Sequence, residues 1–409
     1  VVLVTTKSGK EGRVKVSYDF SYGWQRPWRE RKMLDGTQYA TLMNEANNYA
    51  GKGDLYANPA QYGKGTNWQK ETFNYDAPVE NHQVSVSGAA EKINYFLSLG
   101  YYNQEGIVGG DYGRSNYKRM TMRSNSSYTM FDESKKRTWL NKMVIGVNAA
   151  YSRINNTNIE TNSLTGSALG NAMFLSPLMD VYANSEEDLI KDHNIDTQKY
   201  GDPIRDANNG KLLNIPDQDF NEISNPLAYL SLPGQKYNTD KFVASFFTEL
   251  SVWDNLKFRT SYGTDLAFWG TDGWSRPYYI GANAHNDKSQ VWSEMNRQST
   301  WQLENVFTYD KTFNAHSFAV VLGQSAKKKT GRRLKGTGSD LIEYMGDKAN
   351  LDFTTGLPSD GKQMAEGGKL DPATLASYFG RLRYNYDERY MFQFTVRRDG
   401  SSNFGPNNK

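Results

Sequence analysis

Apolar and polar residues alternate with a period of two along most of the chain. In the stretch ASYFGRLRYNYDERYMFQFTVRRDG, Tyr378, Leu382 and Tyr384 fall on one side of an extended segment. Arg381 and Arg383 fall on the other side, and the pattern repeats after a tight turn. This alternation predicts β-strands whose two faces meet different surroundings.

The same pattern predicts about eleven strands in all. Many of them run to ten or more residues, which is the length that a tilted strand needs to cross a bilayer. The segments that carry the pattern are residues 14–24, 83–89, 93–101, 119–130, 143–152, 242–252, 256–262, 301–309, 317–323, 378–386 and 390–397.

Short and long connections between these strands alternate. The short ones are residues 89–92, 131–139, 253–255, 311–315 and 387–389, and the long ones are about residues 25–81, 105–116, 154–240, 268–297 and 326–374. Outer-membrane barrels have this asymmetry, with short periplasmic turns and long extracellular loops. The sequence therefore predicts an all-β chain that forms a transmembrane antiparallel β-barrel.

Composition separates this prediction from two alternatives. The mean hydropathy is -0.75, and no run approaches the roughly 18 apolar residues of a spanning helix, which argues against a helical membrane protein. A soluble β-sandwich has shorter strands, and its loops rarely reach about 50 residues. Aromatic residues make up 13% of the chain and crowd the strand ends, as Trp24, Trp139 and Trp253 do, where membrane barrels have aromatic girdles.

Charge and cysteine content exclude little. The formal net charge is +3, so nothing requires a nucleic-acid partner. The chain has no cysteine, which excludes disulfides and thiolate metal sites but does not fix the compartment.

Several segments resemble SusC/RagA-type TonB-linked outer-membrane proteins. VVLVTTKSGK, residues 1–10, resembles the last strand of their plug domain, and residues 12–24 look like their first barrel strand. The hairpin of residues 377–406, with its RRDGSSNFG tail, resembles a mid-barrel signature of that family. The segments VSVSGAAEKINYFLSLGYYNQEG and NPLAYL fit the same family.

The resemblance implies a 22-stranded barrel with a plugged lumen, a size class known for outer-membrane transporters. Residues 1–10 would then be the last plug strand, and residues 11–409 the N-terminal half of the barrel. An odd strand number cannot close a single-chain barrel of the bacterial type, so a count near eleven favours a fragment.

The resemblance also implies a function without catalysis or cofactor. The family imports nutrients, mostly oligosaccharides or oligopeptides, across the cell outer membrane. Its partners are a SusD-like surface lipoprotein over the extracellular mouth, the TonB energy-coupling complex, which would act through a part upstream of this chain, and the surrounding outer-membrane lipid. Two alternatives stay open: a receptor for a siderophore or cobalamin, and a surface adhesin barrel that transports nothing.

Candidate substrate contacts come from the aromatic-rich segment FWGTDGWSRPYYIG. Flat rings stack on sugar faces or peptide side chains and carboxylates orient hydroxyls, which points to a substrate-binding group. Its members are Trp269, Asp272, Trp274, Tyr278 and Tyr279. The alternative is that these rings pack the loop onto the barrel rim. On the strands, Arg123, Arg381 and Arg383 are predicted to face the lumen.

The long connections also carry helix signals. Asp35 precedes a helical pattern that contains Tyr39, Leu42 and Met43, residues 164–174 read as a second helix, and Ser185 precedes three acidic residues that suit the first turn of a third.

Metal and catalytic signals are weak. The four histidines lie far apart, with no partner at metal-ligand spacing. Asp217, Asp219 and Glu222 are a possible calcium cluster, for which a solvated loop is the alternative. The basic run GQSAKKKTGRR lacks the order of a phosphate loop, and its place at the outer end of a strand favours contact with anionic lipid headgroups or plain solvation.

Overall fold

The computed structural model describes residues 9, 12–132, 139–220, 222–342 and 348–405. Its strands are β1 Lys15–Gln25, β2 Ala77–Ala90, β3 Ile93–Glu105, β4 Asn116–Phe131, β5 Leu140–Thr157, β6 Gln235–Val252, β7 Leu256–Ser275, β8 Tyr278–Gly281, β9 Ala284–Asn286, β10 Gln290–Phe313, β11 His316–Ser339, β12 Gln363–Tyr386 and β13 Tyr390–Ser401. Its α-helices are α1 Gly36–Tyr49, α2 Trp68–Thr72, α3 Ala168–Phe174, α4 Glu186–Asp192, α5 Thr197–Tyr200 and α6 Pro226–Ser231, with short 3-10 turns between them.

Eleven strands form one antiparallel sheet in the order in which they follow along the chain. The order is β1-β2-β3-β4-β5-β6-β7-β10-β11-β12-β13, and β8 and β9 make a separate small hairpin. The predicted all-β class and strand number are thus confirmed. The predicted plug strand at residues 1–10 lies outside the described residues except for Gly9, whose amide nitrogen donates to Asn94 Oδ1 at 2.9 Å while Asn94 Nδ2 donates to the Gly9 carbonyl at 2.7 Å.

The strands extend further than the alternation indicates. β7 continues to Ser275 and β10 begins at Gln290, so residues 276–289 connect them instead of the predicted 268–297. β11 and β12, each 24 residues long, leave residues 340–362 as their connection where the pattern predicted 326–374. Backbone pairing with the neighbouring strand decides these ends, because Gly331 to Gly338 of β11 pair with Leu370 to Gln363 of β12 despite their polar and glycine-rich sequences.

The two faces of the sheet differ as predicted. On one face, here the apolar face, large apolar side chains lie exposed in the middle strands: Leu99 of β3 is 55% exposed, Phe246 of β6 51% and Leu322 of β11 57%. On the other, the polar face, Arg123, Asp265 and Lys327 line a cavity of about 870 Å³. A sheet with both faces open leaves little conventional core between its strands.

On the polar face, two aromatic rings lie against glycine in a neighbouring strand. A β-carbon at Gly146 would lie 2.3 Å from the Phe247 ring, and one at Gly323 would lie 2.0 Å from the Phe379 ring. Guanidinium groups stack over both rings, Arg259 over Phe247 at 4.2 Å and Arg397 over Phe379 at 5.6 Å. Glycine at these positions is therefore a packing requirement.

All short connections lie at one end of the sheet and all long ones at the other. Backbone in the left-handed region closes the tight turns: φ is 52° at Trp253, 49° at Asn314, and 50° and 54° at the consecutive Asp387 and Glu388. Two consecutive residues in this region are typical of the hairpin turns whose twist matches that of the flanking strands.

The long connections pack together into what we call the loop assembly, residues 26–76, 106–115, 158–234 and 276–289. The predicted helices are present: α1 begins after Asp35, whose carboxylate accepts from Gln38 N at 2.8 Å, and Ser185 caps α4. Among the described residues, no helix is both long enough and apolar enough to cross a membrane.

The segment NPLAYL forms the centre of the loop assembly. Asn225 is fully buried, its side-chain oxygen accepts from Leu227 N at 3.1 Å, and its Nδ2 donates to the carbonyls of Val181 and Asn214 at 3.0 and 3.1 Å. One side chain thus caps α6 and joins two other segments to it.

Candidate functional site

The first and third long connections, residues 26–76 and 158–234, contact each other through α2. Trp68 Nε1 donates to the Ser176 carbonyl at 2.8 Å, and Thr66 Oγ1 donates to the Met179 carbonyl at 2.7 Å. The Trp68 ring packs with Ala172 and Leu175. Residues more than a hundred positions apart are therefore held in fixed relation.

A cleft of about 960 Å³ lies between these two connections. Aromatic rings and carboxylates dominate its lining, and the described residues that line it include neither lysine nor arginine. Its tyrosines are Tyr39, Tyr56, Tyr62 and Tyr182, its carboxylates are Asp180, Asp188, Asp192, Asp217 and Asp219, and its imidazole is His193.

Burial shapes the protonation of these groups. Burial raises the pKa of Tyr39, and Asp219 raises it further, while a hydrogen bond with Ser176 opposes both. Burial also raises the pKa of Tyr56, aided by Tyr39, Tyr62 and the carboxylates of Asp217 and Asp219. Both hydroxyls stay protonated at neutral pH and can donate hydrogen bonds.

His193 is the one imidazole of the cleft lining. Burial lowers its pKa, although the nearby carboxylates of Asp217 and Asp192 act in the opposite direction. The ring is therefore neutral at neutral pH. The cleft as a whole is negative, with aromatic surfaces and hydroxyl donors, which suits polar ligands with hydroxyl or cationic groups.

The second candidate region is the cavity on the polar face. Lys241 Nζ lies 3.3 Å from Asp265 Oδ2, and the other carboxylate oxygen, Asp265 Oδ1, has no described hydrogen-bond partner, as is also true of Asn148 Oδ1. Gln83 and Thr300 add neutral polar groups to the lining. The mixture of charged and neutral polar groups in this lining fits a wall that faces water or a hydrated solute.

The strand register links all three predicted lumen arginines. Arg123 stands opposite Ala150, and the ladder continues through Val243 and Asp265 to Thr300. The same side of β10, β11 and β12 carries Gln302, Lys327, Leu375, Arg381 and Arg383. Arg123, Arg381 and Arg383 therefore share the polar face. That this face lines a lumen remains a prediction.

The five predicted substrate contacts do not come together. Trp269 alternates with Phe268 on β7 and lies on the polar face, opposite Asn296. Asp272 and Trp274 have the other parity, and Asp272 Oδ1 accepts from Ser293 Oγ at 2.7 Å. The strand thus separates Trp269 from Asp272 and Trp274.

Tyr278 and Tyr279 pack into the loop assembly. Tyr278 contacts the buried cluster that contains Leu213 and Ile280, and burial raises its pKa. Tyr279 packs on another cluster, and its ring centroid lies 5.5 Å from that of Tyr200. These contacts are those of the alternative interpretation, in which the rings fix the loop. That any of the five predicted residues contacts the substrate directly stays a prediction.

Within the described residues, no group of three or more histidine or carboxylate side chains is placed to hold a metal ion. The possible calcium cluster is not assembled: Asp217 and Asp219 line the cleft, whereas Glu222 Oε1 accepts from Asn283 Nδ2 at 2.7 Å.

Sequence reasoning missed the cleft. The sequence predicts Tyr39 as part of a helix and Asp217 and Asp219 as a possible calcium cluster, and no local pattern places these residues together. The available signal was the high tyrosine and aspartate content of both connections. Their proximity depends on contacts that no local pattern encodes.

Comparison with known proteins shows which proteins this chain is similar to. No family model matches the chain. The whole chain aligns with the TonB-dependent receptor SusC of Bacteroides thetaiotaomicron at 28% identity and covers 37% of that receptor. The chain is similar to SusC-type TonB-dependent receptors. TonB-dependent receptor P3 of Formosa agariphila is 26% identical. The alignment again includes the whole of this chain, and it covers 36% of the relative.

The solved structures agree on the fold. The structure of the RagAB peptide transporter matches 99% of this chain with a TM-score of 0.72 and 18% identity, and 44% of the matched chain is covered. The RagAB peptide importer in its closed-closed state matches with a TM-score of 0.73 and 17% identity. The chain thus spans less than half the length of the proteins it matches. The names of these relatives are those of receptors and transporters, not of enzymes.

Proposed function

We propose that this chain is part of a TonB-dependent receptor of the outer membrane that imports a glycan or an oligopeptide together with a SusD-like surface lipoprotein. The observation that carries the proposal is the similarity to SusC over the whole chain. The fold shared with the RagAB peptide transporter supports it.

The apolar face supports the location of the sheet in a membrane. Exposed apolar patches beyond a few hundred Å² mark sites of contact with lipid or protein. Here exposed apolar side chains recur on every second residue of strand after strand, with Met120, Tyr262 and Phe307 among them. Contact with lipid tails removes this surface from water at a gain of about 25 cal/mol per Å².

The polar face and the cleft supply complementary steps of uptake. The cleft combines the rings of Tyr39 and Tyr56 with carboxylates, so it can stack on a sugar ring or hold a basic peptide side chain. The polar face presents charged and amide groups to a hydrated solute. Energy from the TonB complex would act through a region outside this chain.

Growth of a deletion strain tests the proposal. A strain that lacks the full-length gene should fail to grow on one or more of a panel of glycans and peptides, and the wild-type gene should restore growth. Normal growth on the whole panel, with loss of uptake of an iron chelate or cobalamin, would favour the receptor alternative. If the deletion strain shows no uptake defect of any kind, the alternative of a surface adhesin barrel that transports nothing would be favoured.

A double variant tests whether the cleft binds cargo. Tyr39→Ala with Tyr56→Ala should lower cargo affinity by roughly 10-fold or more, since each lost ring contact is worth about 1 kcal/mol. Tyr378→Ala, on the apolar face, is the matched control and should leave affinity unchanged. Protein at normal surface amounts with unchanged affinity in the double variant would remove the cleft from cargo binding.

A further inference from the structure

The basic run of β11 is divided between the two faces of the sheet. Arg333 and Lys335 lie on the polar face, whereas Arg332 lies on the apolar face. The register places Arg332 directly between Arg297 of β10 and Lys369 of β12. We call Arg297, Arg332 and Lys369 the cationic row.

The two nearest cations of the polar face, Arg333 and Lys335, have carboxylate partners. Arg333 Nε lies 3.1 Å from Glu294 Oε1, and its Nη2 lies 3.2 Å from Glu366 Oε1. Lys335 Nζ lies 4.0 Å from the same Glu366 oxygen. These two positive charges are balanced by carboxylates of the same chain.

The cationic row has no such partner among the described residues. Arg297 lies over the Phe268 ring at 5.5 Å, and all three side chains are exposed. The register break opposite Thr330 leaves Asp371 in a bulge of β12, and no described ion pair joins it to the row. Like charges directly opposite each other on neighbouring strands destabilise the pair, so three in a row are explained by an anion from outside the chain.

The depth of the row identifies the kind of anion. Twelve residues of β10 separate Arg297 from Tyr309, which lies near the short turns. At about 3.3 Å per residue and a tilt of about 45°, this corresponds to about 28 Å along the membrane normal, close to the thickness of a hydrocarbon core. The row would therefore lie at the level of the headgroups, on the side of the long connections.

We propose that the cationic row is a binding site for the phosphate group of a lipid headgroup in the outer leaflet. Two guanidinium groups can share the oxygens of one phosphate, and the Lys369 ammonium adds a point charge. Ser299, which comes next in the register below Arg297, offers a hydroxyl donor, whereas the Thr330 hydroxyl donates to the Ser299 carbonyl at 3.4 Å. The proposal rests on the membrane placement given under the proposed function.

The test uses full-length protein purified in mild detergent and native mass spectrometry with added diphosphoryl lipid A. The triple variant Arg297→Gln/Arg332→Gln/Lys369→Gln should retain this lipid roughly 100-fold less than wild type, because each of the three basic residues near the surface contributes about 1 kcal/mol. The control Lys327→Gln/Lys329→Gln/Lys335→Gln removes as many charges from the polar face and should retain the lipid as wild type does. Arg332→Gln alone should show a smaller loss in the same direction and serves if the triple variant does not assemble.

Three results would overturn the inference. They are equal lipid retention by the triple variant and wild type, equal binding of the lipid after removal of its phosphates, and a thermal stabilisation by inorganic phosphate as large as that by the lipid, which would indicate a site for soluble anions. If the wild type itself is absent from the outer-membrane fraction, the proposed function fails as well, so the two failures are distinguishable.

Discussion

The sheet and the loop assembly are built by different means. The loop assembly contains nearly all the fully buried apolar residues, with Leu213 and Leu230 each only 1% exposed, whereas the buried apolar residues described in the large sheet are Ala77, Ala244 and Val291. The loop assembly thus resembles a small soluble domain with its own core. The sheet depends on its backbone ladder and on whatever covers its two faces.

This difference teaches where each kind of substitution will act. A lost side chain in the loop assembly leaves a cavity in protein. A changed side chain on the sheet meets a surrounding medium, lipid on one face and water on the other under the proposed function.

The largest effect is expected in the core of the loop assembly. Leu213→Ala should destabilise the assembly by about 2–5 kcal/mol because a fully buried leucine is lost from the cluster with Ile204 and Leu227. Hydrogen exchange of the loop amides measures this. Leu322→Ala, on the exposed apolar face, is the control and should change loop exchange little; equal effects would remove the distinction between the two regions.

A somewhat smaller effect on stability is expected for an arginine on the apolar face, compared with an arginine at the neighbouring position on the polar face. Leu303→Arg, on the apolar face midway between Tyr309 and Arg297, should destabilise folding into vesicles by about 2–4 kcal/mol, as arginine does at a bilayer midplane. Gln302→Arg, on the polar face, should cost far less. Refolding of full-length protein into lipid vesicles in urea measures both, and similar penalties would mean that the two faces meet the same medium.

The smallest effect concerns pH and the cleft. The pKa of His193 is lowered by burial, so the unfolded chain takes up the proton first as pH falls. The stabilising contribution of the neutral ring is therefore present above about pH 6.5, the ordinary value, and is lost as pH falls from there toward the lowered folded value. Hydrogen exchange of α4 should quicken between pH 7.5 and pH 5.5, and His193→Gln should flatten that change; an unaltered profile in the variant would assign it to other groups.

The alternation of side chains was sufficient to predict the strands of the sheet, because a period of two is a local property that both faces enforce. It failed at the strand ends. Trp269 and Trp274 stand in a segment whose glycines and aspartates are typical of loops, yet pairing with β10 keeps that segment extended. Such pairing is non-local, so no window of sequence contains it.

The two candidate regions differ in the same way. Parity along a strand predicted that Arg381 and Arg383 share a face, and the register agrees. The cleft could not be predicted, since Tyr39 and Asp217 meet only after α2 has packed against the segment that holds Ser176. The sequence presents the basic run as one unit, whereas the strand places Arg332 and Arg333 on opposite faces of the sheet.

The glycines beneath Phe247 and Phe379 have a consequence for anything that moves along the polar face. Each ring occupies the space that a side chain at the glycine would otherwise fill, so the aromatic residue is accommodated close to the backbone. With a guanidinium over each ring, the polar face presents charged groups instead of bare aromatic surface to a solute that, under the proposed function, passes along it.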